Sequence, residues 1–359
     1  MSPEGEPFAD QLARQIEAHG PITVAHYIGL ANAHYYGNRD PFGRGGDFIT
    51  APEISQMFGE LIGLWLADMR IRSAPARPPA YVELGPGRGT LAADALRAMA
   101  SATTAPPVHL VETSEALRVK QRITVEGAQF HDSIDSLPTE GPLLVVANEF
   151  FDALPTRQFV RAGSDWRERM VDAVPTPPGS PSPMRFMAVA GQTSMRGAMA
   201  AWPHDAQEGA VVESSTAGAT IMLALARRIA AQGGAALIID YGYEGPAVGD
   251  TLQAVRDHRF TDPFAEPGEA DLTVHVDFTL MGNCGRQAGL IVDGPVGQGA
   301  FLEALGIDAR TTSLTHEHPG RAAELTVARN RLAGPDEMGT LFKILCLRHP
   351  DWAAPEGFV

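Results

Sequence analysis

Ile54, Phe58, Leu61, Ile62, Trp65, Leu66 and Met69 recur at spacings of three and four, the repeat of one helical face turned toward a core. Thr50, Pro52 and Glu53 stand before that face in the order of a capping box, which predicts one helix over 51–69 starting at Thr50. The connector SAPARPPA, 73–80, ends it. Beyond it the pattern changes to short unbroken apolar runs at 81–84, 108–112, 129–130, 143–147 and 235–240, separated by amphipathic stretches such as the one from Thr90 and 115–122. Apolar strands alternating with helices predict an α/β fold, a doubly wound parallel sheet covered on both faces. Residues 160–234 interrupt the rhythm with Pro-rich PTPPGSPSP (175–183) and an apolar helix over 219–230, and read as an insertion after strand four. Near the end, 301–305 reads as helix and LFKILCLR (341–348) as a buried strand. The expected division is a helical N-terminal region with a lid over 1–78, a main domain over 79–348 carrying the insertion, and a tail over 349–359.

Composition narrows the class. With 359 residues, 44% hydrophobic and 20% charged, the chain can bury a sizeable core. A formal charge of −15, with lysine only at Lys120 and Lys343, argues against a nucleic-acid surface and favours a basic partner. The acidic first twenty residues do not read as a secretory or transit segment, and no run is long enough to span a bilayer. Cys284 and Cys346 are too few for a disulfide framework, so a cytoplasmic location is expected. HEH at 316–318 lacks further ligands, and no metal site is expected.

The chemistry starts at YVELGPGRGTL, 81–91. A phosphate loop of the GxxxxGK[ST] type needs a lysine that is absent, and a dinucleotide turn needs a wider glycine spacing than Gly85, Gly87 and Gly89 supply. An acid two residues before the first glycine, Glu83, suits the amino-acid end of S-adenosylmethionine (SAM), whose ammonium a carboxylate can meet. Glu112 at the end of strand two suits a ribose, and Asp132 at the end of strand three an adenine amino group; each reads equally well alone as a solvated strand-end acid. NEFFDALP, 148–155, places Asn148, Glu149 and Asp152 at the end of strand four, where methyl transfer needs an aligned acceptor. Phe150 and Phe151 read as pocket walls or as core.

Five blocks in order, GDFITAPEISQMFGE (46–60), ELGPGRGTL (83–91), NEFFDALP (148–155), DYG (240–242) and ADLTVHVDF (270–278), resemble the MidA-type SAM-dependent methyltransferases. That family includes the mitochondrial assembly factor of respiratory complex I, and the resemblance covers residues 20–348. It implies a class I, Rossmann-like methyltransferase sheet with an N-terminal helical region and an insertion after strand four. It also implies protein arginine methylation, with a complex I subunit as the mitochondrial target. Carried over, the lid falls on 46–50, which puts Asp47 and Thr50 at the cofactor.

Other readings stay open. His275 and Asp277 alternate with apolar residues, so they face either the site, Asp277 then serving catalysis, or the fold's edge. Asp240 and Tyr241 line an acceptor pocket or cap the sheet. Asp152 either fixes a guanidinium beside Glu149 or caps the next turn. An enzyme acting on another amino or amide group, and an assembly chaperone that binds SAM without turnover, are the alternatives to an arginine methyltransferase. The oligomeric state and the identity of the acceptor protein are not legible.

Overall fold

In the computed structural model, residues 7–38, 50–177, 180, 184–194, 202–203, 205–256 and 258–358 are described. Contacts divide the chain into two units. The larger holds Phe42–Phe151, Ala219–Tyr243 and Val276–Val359; the smaller is built from segments within Met1–Pro41, Asp152–Gly218 and Glu244–His275. This partition differs from the linear one expected above. The stretch 244–275 belongs with the N-terminal helices, and the apolar helix, observed as Thr216–Gln232, joins the larger unit from Ala219 onward.

The larger unit is organised by an eight-stranded sheet, in which the short Val276–Asp277 pairs parallel with the end of β5 and the other seven are β1 (Ala80–Leu84), β2 (Val108–Val111), β3 (Gln129–His131), β4 (Leu143–Asn148), β5 (Gly234–Tyr243), β6 (Ile291–Gly297) and β7 (Phe342–Arg348). Their order is β6-β7-β5-β4-β1-β2-β3. The pairs from β5 to β3 are parallel, and β7 is antiparallel to both its neighbours. Every residue of β1 and β4 is buried, as strands covered on both faces require. The chain steps outward from β1 to β3 and returns to β4 on the other side of β1. That reversal opens the sheet's ligand-binding edge at the carboxyl ends of β1 and β4.

The helix expected over 51–69 is two helices, Ala51–Ile54 and Gln56–Ser73. Ser55 between them is extended (φ −162°, ψ 142°) and its hydroxyl accepts from the Met57 amide at 3.3 Å, so Ser55, not Thr50, caps the long helix. Thr50 makes no side-chain cap bond, and Glu53 instead accepts from the Thr90 hydroxyl at 2.6 Å. The long helix packs on Thr90–Ala102 at Gly59 and Gly63, where a Cβ would strike Asp94 and the Ala95 backbone. Phe58, Leu61, Ile62, Trp65, Leu66 and Met69 form the core with residues of β1, β4, β5 and β7, as their spacing predicts.

The smaller unit has its own core, in which Leu12, Ile16, Tyr27 and Ile28 pack with Val171, Phe186, Leu272 and Val274. Its main sheet pairs Ile22–Thr23, Asp165–Pro175, Arg157–Ala162 and Val211–Ser214 in that order, with Met184–Ser194 on the second of these. A three-stranded sheet centres on Gln253–Arg256. No helix among the described residues is long and apolar enough to cross a membrane.

Candidate functional site

Residues 85–89 turn the chain from β1 into the helix Thr90–Ala102. Gly85, Gly87 and Gly89 all have positive φ (61°, 54° and 82°), which only glycine adopts freely. Two are also packed against. A Cβ on Gly85 would lie 2.8 Å from the Phe150 ring, and one on Gly89 3.1 Å from Val125. The Gly85 amide donates to the Val111 carbonyl at 3.0 Å and that of Gly89 to Pro86 at 2.7 Å, so the turn is pinned to β2 and to itself.

Glu83 is buried at the end of β1, with the equally buried Tyr81 hydroxyl donating to its Oε2 at 2.5 Å. Desolvation pushes the Glu83 carboxyl up to about 7, and the Tyr81 bond works against that rise. On the neighbouring strand, Glu112 is buried too; its Oε1 accepts from the Ser114 amide at 2.7 Å and its Oε2 from Gln121 Nε2 at 3.3 Å. Burial raises its pKa above the usual carboxylate value. Asp132 is placed differently: its carboxylate is 86% exposed and accepts from Arg118 at 2.7 Å. The same guanidinium holds the Glu112 carbonyl, so Arg118 ties the ends of β2 and β3 together.

At the end of β4, Asn148 is buried and Glu149 half-buried. Glu149 has φ +49°, a strained conformation for a side-chain-bearing residue. Its Oε1 accepts from the Ala51 amide and from Asn148 Nδ2, both at 3.1 Å. Asn148 Oδ1 is buried and accepts no hydrogen bond among the described residues. Fully buried Asp240 accepts from the Phe151 amide through Oδ2 and from the Tyr241 amide through Oδ1, both at 3.0 Å, and so anchors the turn after β4. Phe151 is core, whereas the half-buried Phe150 covers Gly85.

Three expected residues are held by local structure that the sequence did not announce. Asp277 is the N-cap of Phe278–Gln287, accepting from the Leu280 amide at 3.1 Å, because the strand ends there and the helix needs its first amides satisfied. His275 lies outside a strand, between Asp271–Thr273 and Val276–Asp277, so strand alternation does not carry both residues onto one face. Asp152 is buried in the smaller unit, where burial first, then Asp271 and Asp152, raise the Tyr36 phenol well above its ordinary pKa. Thr50 is buried at the start of Ala51–Ile54, and Asp47, with the rest of the expected lid over 46–49, lies outside the described residues. Gln121, Tyr81 and Arg118 escaped the sequence reading. Gln121 left one trace, a polar residue four after Leu117 on the buried side of Glu115–Thr124.

A sheet of this order, with a glycine turn after β1 and acids ending β1 and β2, is that of a class I SAM-dependent methyltransferase. The pattern of a SAM-dependent methyltransferase family matches residues 61–296, and the chain belongs to that family. It is 36% identical over 372 residues to the Drosophila melanogaster protein arginine methyltransferase NDUFAF7 homolog, covering 95% of this chain and 84% of that protein. The human protein arginine methyltransferase NDUFAF7 is 34% identical over 378 residues, with 95% and 83% covered. A crystal structure from Burkholderia thailandensis bound to S-adenosyl-homocysteine superposes with a TM-score of 0.82 at 28% identity, over 97% of this chain and 93% of that one. The cofactor is SAM. The buried acids of β1 and β2 suit its ammonium and its ribose, and the positive-φ turn between them lets backbone come close.

Proposed function

We propose that this methyltransferase acts on arginine in a protein, and that the acceptor is a subunit of respiratory complex I or of its bacterial counterpart. The observation that carries the arginine reading is Glu149, a carboxylate held in a strained left-handed conformation at the mouth of β4. Strain kept at a strand end marks a position selected for what its side chain does. A guanidinium stays protonated at physiological pH, so its acceptor site needs an anion that fixes the planar group and aims one nitrogen. The names of the curated relatives support the same acceptor, and the family resemblance supports complex I.

Bound SAM supplies an electrophilic methyl on a sulfonium. In this reading Glu83 takes the cofactor's ammonium, Glu112 its ribose hydroxyls, and Phe150 holds the glycine turn in shape from above Gly85. Asn148 orients Glu149 through the bond from its Nδ2. Glu149 would hold the acceptor guanidinium in line with the methyl and favour loss of the nitrogen's proton to solvent while the new N–C bond forms and the methyl–sulfur bond breaks, S-adenosyl-homocysteine being the leaving group. A cytoplasmic location belongs to the same proposal; the relatives carry mitochondrial names.

The test is transfer of labelled methyl from SAM to the purified peripheral arm of complex I, with the modified residue read by mass spectrometry. Label on arginine supports the proposal. Label confined to lysine or to amide nitrogen overturns the arginine reading, and SAM binding without transfer to any acceptor makes the protein a chaperone.

A further inference from the structure

We propose that Gln121 is a positioning residue for the cofactor: its amide ties the glycine turn to the Glu112 carboxylate and sets how that carboxylate meets the ribose. The proposal rests on the reading of Glu112 as the ribose acid. Gln121 is fully buried on the helix Glu115–Thr124, on the side that also buries Leu117, where packing alone would place an aliphatic residue. Instead its Nε2 donates to the Gly87 carbonyl at 2.7 Å and to Glu112 Oε2 at 3.3 Å. Both amide protons are therefore spent on the two halves of the candidate site. One amide thus links residues 34 positions apart on one side and 9 on the other.

The consequence is directional. Glu112 Oε1 accepts from the Ser114 amide and Oε2 from Gln121, so both carboxylate oxygens are held while lone pairs remain for the vicinal hydroxyls of a ribose. A carboxylate held at both oxygens does not rotate to meet the diol; it is already aimed. Bonds to the ionised form also oppose the burial that would neutralise Glu112. Gln121 Oε1 is buried and has no hydrogen-bond partner among the described residues. The same helix end packs on the turn through Thr124 and Val125 against Gly89, so displacement of the turn and of Gln121 are coupled.

Calorimetric binding of S-adenosyl-homocysteine and of its 2′-deoxyribose analogue to wild type, Glu112→Ala, Gln121→Met and the double variant tests this. Glu112→Ala is expected to weaken the ribose form by about tenfold or more, within the range for a lost bond to a charged group. Gln121→Met is expected to weaken it by about threefold or more and to erase most of the preference over the deoxy analogue. The double variant is expected to bind about as Glu112→Ala does, because Gln121 acts through Glu112. Gln121→Glu, which keeps the volume and removes the amide's donors, serves where Gln121→Met does not fold, and is expected to show the same loss of ribose preference at neutral pH. Full multiplication of the two single effects, or an unchanged ribose preference in the Gln121 variants, overturns the positioning role while leaving Glu112 as the ribose acid. Wild-type affinity in Glu112→Ala overturns the underlying reading and the proposal with it.

Discussion

Glu83 is a buried acid whose two duties pull against each other. In the folded chain its carboxyl sits at about 7, above the usual carboxylate value of 4.5, because burial disfavours the charge. A folded value above the unfolded one means that the native state holds the proton more tightly, so its stabilising contribution is complete below about 4.5 and is lost as pH rises through about 7. Glu112, raised in the same direction, adds to the slope. Cofactor binding runs the other way if Glu83 meets the ammonium as an anion. The cofactor-free protein is therefore expected to lose melting temperature between about pH 5 and pH 7.5 while SAM affinity rises over the same window. Glu83→Gln should flatten both profiles; scanning calorimetry and binding titrations at matched pH check this, and parallel rather than opposed slopes would refute the assignment. At Glu149 the expectation concerns turnover alone: Glu149→Gln should leave SAM affinity within about twofold and lower single-turnover methylation by about 10²-fold, the scale of a lost preorganised charge. A near-normal rate would remove Glu149 from the acceptor site.

Two close approaches set the elements around the site. The crossing of Gln56–Ser73 on Thr90–Ala102 depends on Gly59 and Gly63, since a side chain at Gly63 would enter the Ala95 backbone. Gly63→Val should lower stability by about 1–3 kcal/mol, the range for overpacking a tight contact, measured by urea denaturation. A neutral result would mean that the helices part without loss. The glycine turn makes the second approach. Gly85→Ala combines a left-handed backbone, costing about 1–2 kcal/mol, with a collision against Phe150. Phe150→Ala in the same chain should recover the part due to the collision and none of the backbone part, which unfolding of the double variant measures. Most of these elements were legible beforehand: the strand runs and helix starts near β1–β5 lie within a few residues of their expected bounds. The break at Ser55 was not, because the apolar repeat runs through it unchanged. Thr50, Pro52 and Glu53 make a sound local cap signal, and it lost to a hydrogen bond from Thr90, 37 residues away.

On the scale of the whole chain, a formal charge of −15 sets the range of partners. A basic protein substrate would be drawn by that field, so the acceptor's KM is expected to rise as ionic strength increases from about 0.05 to 0.3 M, where the screening length falls to below about 6 Å. The KM for SAM, gripped at short range, should change far less; equal salt dependence of the two would rule out steering of the acceptor. The sequence by itself determined what neighbouring residues decide: the unbroken apolar runs that make buried parallel strands, the glycines that allow a tight turn after β1, and the acids at the ends of β1 and β2 that point to SAM. Backbone preference and periodicity act over a few residues, so these features are set locally. Only the tertiary structure decided which distant groups complete each other. It joined 152–218 and 244–275 to the N-terminal helices and made Asp277 a helix cap. It set Asp132 in solvent beside Arg118, and it paired Gln121 with both Gly87 and Glu112. Burial and hydrogen-bond matching depend on partners far apart in the chain, and a one-dimensional pattern carries no measure of those distances.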